Sequence, residues 1–253
     1  MSAYYNEYNK PTAAWLRNLM REGQIAPGVV DDRPIEQVSP ADLRGFTQCH
    51  FFAGIGGWSR ALRLAGWPDD KPVWTGSCPC QSFSDAGAGR GFKDGRHLWP
   101  EFFRLIAECR PTTIFGEQVE AATRRGDENQ SWLDLVSFHL GSAGYAFGSA
   151  VLPAVYVGAP HLRERLYFVA DSNGVAAAPN HEPLRDGVVG GFWTEADWVR
   201  CPDGKRRMHR PGSRLVADGL PEQLALLRGA GNAIVPQQAA EFISAYVEAC
   251  SVI

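Results

Sequence analysis

The sequence predicts an α/β protein with a doubly wound, mostly parallel sheet. Up to about residue 170, short apolar runs alternate with stretches of helical spacing, the pattern of strands joined by crossover helices. One apolar run ends in Gly54-Ile55-Gly56-Gly57, a Gly-rich turn leading into a helix-like stretch. From Asp171 to about Val216 the periodicity fades and Gly and Pro become frequent, which marks a small inserted lobe.

The elements follow in order. Ala3 to Tyr5 is a short strand, and Pro11 to Arg21 a helix with Pro at its start and apolar Ala13, Ala14, Leu16, Leu19 and Met20. Gly28 to Val30 forms another strand and Pro40 to Leu43 a helical turn. The run Cys49 to Ala53 is a strand, Trp58 to Ala65 a helix and Val73 to Thr75 the next strand. Trp99 to Cys109 has helical spacing, Thr113 to Phe115 is strand-like, Trp132 to Leu140 is helical, and Leu166 to Ala170 closes the series as an apolar strand. Helical patterning resumes at Pro221 to Leu227 and Pro236 to Ala249. Residues 1–170 are thus expected to form the main domain, 171–216 the lobe, and 217–253 a segment returning to the main domain.

Composition narrows the function without fixing it. Hydrophobic residues make up 45% and charged residues 21%, ordinary for a globular chain. No apolar run approaches the ~18 residues that span a bilayer. Six cysteines at irregular spacing do not form a disulfide framework, which points to a reducing cytoplasm. The net charge of −3 argues against a protein that merely coats nucleic acid. A local basic cluster (Arg200, Lys205, Arg206, Arg207, His209, Arg210 and Arg214) suits either phosphate contact or a solvated face.

Each chemical motif has a plain alternative beside it. The turn Phe52 to Gly57 lets backbone approach a nucleotide-like ligand, although a ligand-free turn looks similar. In Ser77-Cys78-Pro79-Cys80-Gln81-Ser82-Phe83-Ser84 the second cysteine follows Pro at a strand's end, a place for a thiolate nucleophile. Its alternatives are half of a zinc site, which lacks a second cysteine pair, and an inert buried thiol. Glu117, after a strand-like run, is a candidate acid if apolar surroundings raise its pKa. In His161-Leu162-Arg163-Glu164-Arg165 alternation puts both arginines on one face, facing a ligand or forming a structural ion pair with Glu117 or Glu164. Gly231-Asn232-Ala233 enters a helix and is at least a cap.

The order of these motifs resembles the DNA cytosine C5-methyltransferase family from Phe52 to the C-terminus. Phe52, Gly54, Gly56 and Gly57 look like the motif that holds the methionine part of S-adenosylmethionine, and Pro79-Cys80-Gln81 like the catalytic loop. Glu117-Gln118-Val119 is similar to the family's Glu-Asn-Val, His161-x-Arg163-x-Arg165 to its Gln-x-Arg-x-Arg, and Gly231-Asn232-Ala233 to its last motif. Gln118 and His161 depart from the family residues. The family's ribose-binding and adenine-binding strands are missing between the Gly-rich and catalytic motifs. Tyr5-Asn6-Glu7-Tyr8-Asn9 and Gly28-Val29-Val30-Asp31-Asp32 resemble them, so these motifs would be circularly permuted into residues 1–45.

The resemblance implies a Rossmann-like catalytic domain that binds S-adenosylmethionine through Phe52, Gly54, Gly56, Gly57, Glu7, Asp31 (or Asp32) and Asn232. It implies that double-stranded DNA is the partner and that a flipped cytosine is attacked at C6 by Cys80. Glu117 would hold N3 and the amine, Arg163 the O2 oxygen, and Arg165 would support Glu117. Gln81, Ser84, Arg206, Arg207 and Arg210 would contact DNA, with sequence choice in the 171–216 lobe. No metal and no membrane are expected. A monomer in the cytoplasm of a bacterium or phage-infected host is expected, with a cognate restriction endonuclease left open. A related enzyme placing another one-carbon group on cytosine is the main alternative.

Overall fold

The computed structural model describes residues 3–79, 98–124, 130–159, 163–174, 197–200, 206–209 and 233–251, the two short segments 197–200 and 206–209 by their backbone alone. The strands are β1 (Ala3–Asn6), β2 (Gly28–Asp31), β3 (Gln48–Phe51), β4 (Val73–Gly76), β5 (Thr113–Val119), β6 (Ala146–Pro153) and β7 (Glu164–Asp171). The helices are α1 (Lys10–Arg21), α2 (Gly57–Leu64), α3 (Trp99–Cys109), α4 (Trp132–Ser142) and α5 (Pro236–Ser251). A separate two-stranded antiparallel sheet joins β8 (Asp197–Arg200) to β9 (Arg206–His209) within the expected lobe.

The seven strands lie in the order β2-β1-β3-β4-β5-β7-β6. The first five are parallel; β7 runs antiparallel to both β5 and β6. The expected mostly parallel sheet is therefore present. Two features exceed the expectation: β5 continues through Glu117 to Val119, and β6 forms an edge strand that the sequence patterning does not announce. No helix of the described residues is long and apolar enough to cross a membrane.

Helices cover both faces, and alternation along the strands divides the core accordingly. Tyr5, Phe115, Tyr167 and Val169 point toward α1, α2 and α5, where Leu16, Trp58, Leu62 and Phe242 meet them. Tyr4, Phe51, Ile114 and Phe168 point to the other face, against α3 and α4 with Trp99, Phe102 and Trp132. The caps are conventional. Asn9 accepts from the Thr12 amide at the start of α1, and Ser131 and Asp134 form a reciprocal capping box on α4.

The crossovers are less regular. The connection β1–α1–β2 steps toward one edge of the sheet, whereas β3–α2–β4 and β4–α3–β5 step toward the other. Yet α2 shares its face with α1, while α3 lies on the opposite face. The β3–α2–β4 crossover therefore has the opposite hand from its two counterparts. Parallel crossovers are right-handed in nearly all proteins, which leaves this one as the exception.

Gly76 and Gly116 are cross-strand neighbours under the aromatic layer. A Cβ on Gly116 would come within 2.0 Å of the Phe168 ring, and one on Gly76 within 2.5 Å of Phe102. Overpacking of this kind costs about 1–3 kcal/mol. Gly116→Ala is accordingly expected to lower the denaturant midpoint with little change in slope, which urea unfolding measures.

Candidate active site

Parallel strands send their C-terminal ends to one edge, and the residues singled out in the sequence gather there. β1 and β3 are parallel neighbours, so the segments that follow them start side by side at this edge. Glu7 directly follows β1, and the turn from Phe52 to Gly57 follows β3. The Gly54 amide donates to Glu7 Oε2 at 2.8 Å, and the Asn9 amide donates to Oε1 at 2.8 Å. Burial pushes the Glu7 pKa up, and these two amides oppose the rise.

The turn needs its glycines. Phe52, Gly54 and Gly56 all have positive φ, at 51°, 54° and 79°. A Cβ on Gly56 would press on Ile25 and Leu16 at 3.2 Å, and one on Gly57 would meet the Ile234 side chain at 2.7 Å. A carboxylate offers about four acceptor directions, of which the two amides use one on each oxygen. Glu7 thus retains capacity for the paired hydroxyls of a ribose, so these residues fit a nucleoside-bearing cofactor. Tyr8 beside it is 70% exposed and offers an aromatic face at the same edge.

Asp31 ends β2 and is tied into the protein itself. It accepts from the Tyr4 hydroxyl at 2.7 Å, from the Arg33 amide at 3.0 Å and from the Arg33 guanidinium at 2.6 Å. Burial raises its pKa, but Arg33 and Tyr4 outweigh burial and hold the carboxyl below its ordinary value. Arg33 also pairs with Asp42 at 3.2 Å. Among the described residues Asp32 makes a long contact, 3.9 Å to Arg17, with both side chains nearly half exposed. Of the two acids, Asp31 is the one built into the fold.

The second half of the site lies on β5 and β7. Glu117 is 6% exposed, and its Oε1 is paired with Arg165 Nε at 2.9 Å. Burial raises the Glu117 pKa; Arg165, the Ser77 hydroxyl and Arg163 pull the other way without cancelling it. Ser77 leads out of β4 and also accepts from Trp58 Nε1 at 3.0 Å. Gln118, where the resemblance expects Asn, has a defined structural use. Its Nε2 donates to the Cys78 carbonyl at 3.3 Å, and its Oε1 accepts from the Val119 amide. The longer side chain thereby links β5 to the chain leaving β4.

Arg163 directly precedes β7, with φ at 31°, a left-handed conformation costing of order 1–3 kcal/mol in a residue other than Gly. Its Nη2 donates to the Ala233 carbonyl at 2.6 Å. The two arginines therefore do different things: Arg165 lies against the acid, and Arg163 reaches the turn before α5. The structure brings Glu7, Gly54, Glu117 and Arg165 to the expected edge. Cys80, Gln81, Ser84, His161, Arg210 and Asn232 lie outside the described residues, as do the side chains of Arg206 and Arg207 on β9. Among the described residues no group of three His, Cys, Asp or Glu side chains could hold a metal ion. Tyr167 and Gln238 lie buried behind these groups and carry no signal in the sequence, each an ordinary polar residue until the fold buries it, while Ser77 is named there only as the start of the cysteine motif.

The Glu117–Arg165 pair gives a titration prediction. An acid with a raised folded pKa stays protonated longer in the native state, so stability is lost as pH rises from the ordinary Glu value through the raised one. Glu117→Gln is expected to remove that slope in unfolding measurements across pH. Arg165→Leu takes away an opposing charge and should move the Glu117 pKa further up, which carboxyl NMR detects.

Comparison with known proteins bears on the same residues. The family described as C-5 cytosine-specific DNA methylase matches residues 67–186. The Type II methyltransferase M.HhaI of Haemophilus parahaemolyticus is 31% identical over 105 residues, covering 41% of this chain and 32% of the relative. M.NlaX of Neisseria lactamica is 33% identical over 105 residues, covering 41% and 33%. The matches thus span about a third of the length of these relatives. Among solved structures, the DNMT2 mutant of Spodoptera frugiperda overlays with a TM-score of 0.44 at 18% identity, over 73% of this chain and 45% of that one.

Proposed function

From this kinship with the C-5 cytosine-specific DNA methylases, we propose that the chain transfers a methyl group from S-adenosylmethionine to C5 of a cytosine in double-stranded DNA. The observation that carries the proposal is buried Glu117 paired with half-buried Arg165, on the sheet edge where Ser77-Cys78-Pro79 leaves β4 and Glu7 meets Gly54.

A stacked cytosine is out of reach of any of these groups, so the base must be flipped out, at a cost of a few kcal/mol. The Cys80 thiolate then forms a bond from Sγ to C6, and the C5–C6 π pair moves toward C5 and the ring. A protonated Glu117 donates to N3 and accepts from the exocyclic amine, which spreads that charge. Its raised pKa supports this role, because the acid must keep its proton near neutral pH. Arg165 orients the Glu117 carboxyl, and Arg163 steadies the base at O2. Glu7 and the turn from Gly54 to Gly57 would hold the cofactor, whose bound form supplies an electrophilic methyl group to C5. Loss of the C5 proton to a base and cleavage of the Sγ–C6 bond restore the aromatic ring and free Cys80.

The reading includes a rearranged chain order. In the family's order the Gly-rich strand and its helix lead to the ribose-binding strand. Running β3–α2 into β1 would step toward the same edge as β1–α1–β2 on the same face, giving α2 the common hand. The exceptional hand of β3–α2–β4 is the trace expected if residues 1–45 had been moved ahead of the Gly-rich segment. We further take the β8–β9 lobe, with Arg206 and Arg207 on β9, as the part that meets DNA. The enzyme would act as a monomer in the cytoplasm of a bacterium or phage-infected host, with or without a cognate restriction endonuclease.

The direct test is transfer of labelled methyl from S-adenosylmethionine to duplex DNA, with a 5-fluorocytosine duplex beside it. Label in 5-methylcytosine and a covalent adduct absent from Cys80→Ala are expected; turnover by Cys80→Ala would exclude the mechanism. Glu7→Ala is expected to weaken S-adenosylmethionine binding at least tenfold by calorimetry, and unchanged affinity would overturn the N-terminal placement of the ribose site.

A further inference from the structure

We infer that Gln238, on α5, is a positioning residue that holds Arg163 in its left-handed conformation and so sets the base side of the site from the C-terminal helix. The inference rests on the proposed function for its use of Arg163. Gln238 is 1% exposed, a polar side chain buried where its neighbours Ala239, Ala240 and Phe242 are core.

Its surroundings explain why it is polar. β7 begins at Glu164, paired with Pro153 at the end of β6, so the ladder between the two strands stops there. Carbonyls near that end that the ladder leaves without a donor need one from elsewhere. Gln238 Nε2 donates to the Leu152 carbonyl and, at 3.5 Å, approaches the Arg163 carbonyl. The Ala154 amide donates to the same Arg163 carbonyl at 3.3 Å. On its other side, Gln238 Oε1 accepts from the Tyr167 hydroxyl at 3.2 Å, which fixes which end of the amide faces the carbonyls. Tyr167 in turn is paired in register with Glu117.

Arg163 is thus gripped twice by the same segment. Its backbone carbonyl, bonded by the Ala154 amide, also lies 3.5 Å from Gln238 Nε2, and its guanidinium holds the carbonyl of Ala233, five residues before Gln238 in the chain. Ile234, next to Ala233, packs where Gly57 leaves no room for a Cβ. One short stretch of chain therefore touches the start of α2, at the cofactor turn, and the backbone of the arginine proposed to face the base. A side chain that only capped the ladder would act on stability alone. One that sets Arg163 acts on the chemical step.

The test uses full-length Gln238→Met, which keeps size and removes both hydrogen-bonding ends, and Tyr167→Phe, which removes only the hydroxyl that orients the amide. Each is compared with wild type in methyl transfer at saturating duplex, in adduct formation on a 5-fluorocytosine duplex, and in S-adenosylmethionine affinity by calorimetry. The expected result is a tenfold or greater fall in kcat and adduct rate for Gln238→Met and a smaller fall of the same kind for Tyr167→Phe, with cofactor affinity unchanged. Active wild type with both variants at wild-type rates would overturn the inference and leave the proposed function standing. Parallel losses of cofactor affinity and kcat would mean a general structural role and would overturn it as well. A wild type that neither methylates nor forms the adduct would defeat the proposed function, and the inference with it.

Discussion

The hydrogen bond from the Gly54 amide to the Glu7 carboxylate joins residues 47 positions apart and fixes the geometry on which the site depends. It is available because β1 and β3 are parallel neighbours in register, Asn6 beside Phe51, so the segments that follow them leave the sheet side by side. Glu7 holds the Gly-rich turn, and the turn holds the start of α2 against Ile234. The Ala233 carbonyl beside Ile234 receives Arg163. From one half-buried carboxylate, contact runs by short steps through the proposed cofactor half toward the proposed base half.

That constraint concerns neighbours in space and is indifferent to which of them comes first in the chain. The hand of a crossover is sensitive to chain order, because it depends on which strand follows the helix. In this fold the helix after the Gly-rich turn lies on the face suited to a step toward β1 but runs on to β4. The packing of α2 against Trp67, Phe115 and α5 outweighs the usual preference: Trp58 stacks over Phe115 and meets Tyr167 edge to face. A fold can tolerate one unfavourable crossover when the helix buries this much aromatic surface.

The sheet's class was legible because strongly apolar runs such as Cys49 to Ala53 and Leu166 to Ala170 are buried on both faces. β6 was not, because an edge strand with Gly148, Ser149 and exposed Val151 shows neither a continuous apolar run nor clean alternation. The end of β5 was missed because Glu117 and Gln118 break the apolar pattern of a strand that continues through them. At the site, residue types carried the signal. The Gly-rich turn, the acid and the paired arginines could be named from the sequence. The partners that decide their behaviour could not, because Tyr4 on Asp31 and Gln118 with Cys78 meet across neighbouring strands, and nothing in the sequence marks Arg33 as folding back on Asp31 two residues before it.

Glu117 shows why such an acid belongs inside a strand. On a loop, water would reach the carboxyl and its pKa would stay ordinary; in β5 the flanking strands and Tyr167 exclude solvent and burial raises it. Arg165 works against that rise, so its presence needs a reason other than proton affinity. The reason is orientation. A guanidinium 2.9 Å from Oε1 fixes the plane of the carboxyl and with it the direction in which the proposed acid would present a proton. Some proton affinity is thus given up for alignment, and the strands to either side make that exchange tolerable by keeping both groups where they were placed. The glycine before Glu117 completes the arrangement, since the Phe168 ring fills the space a Cβ would take and braces β5 from the opposite face.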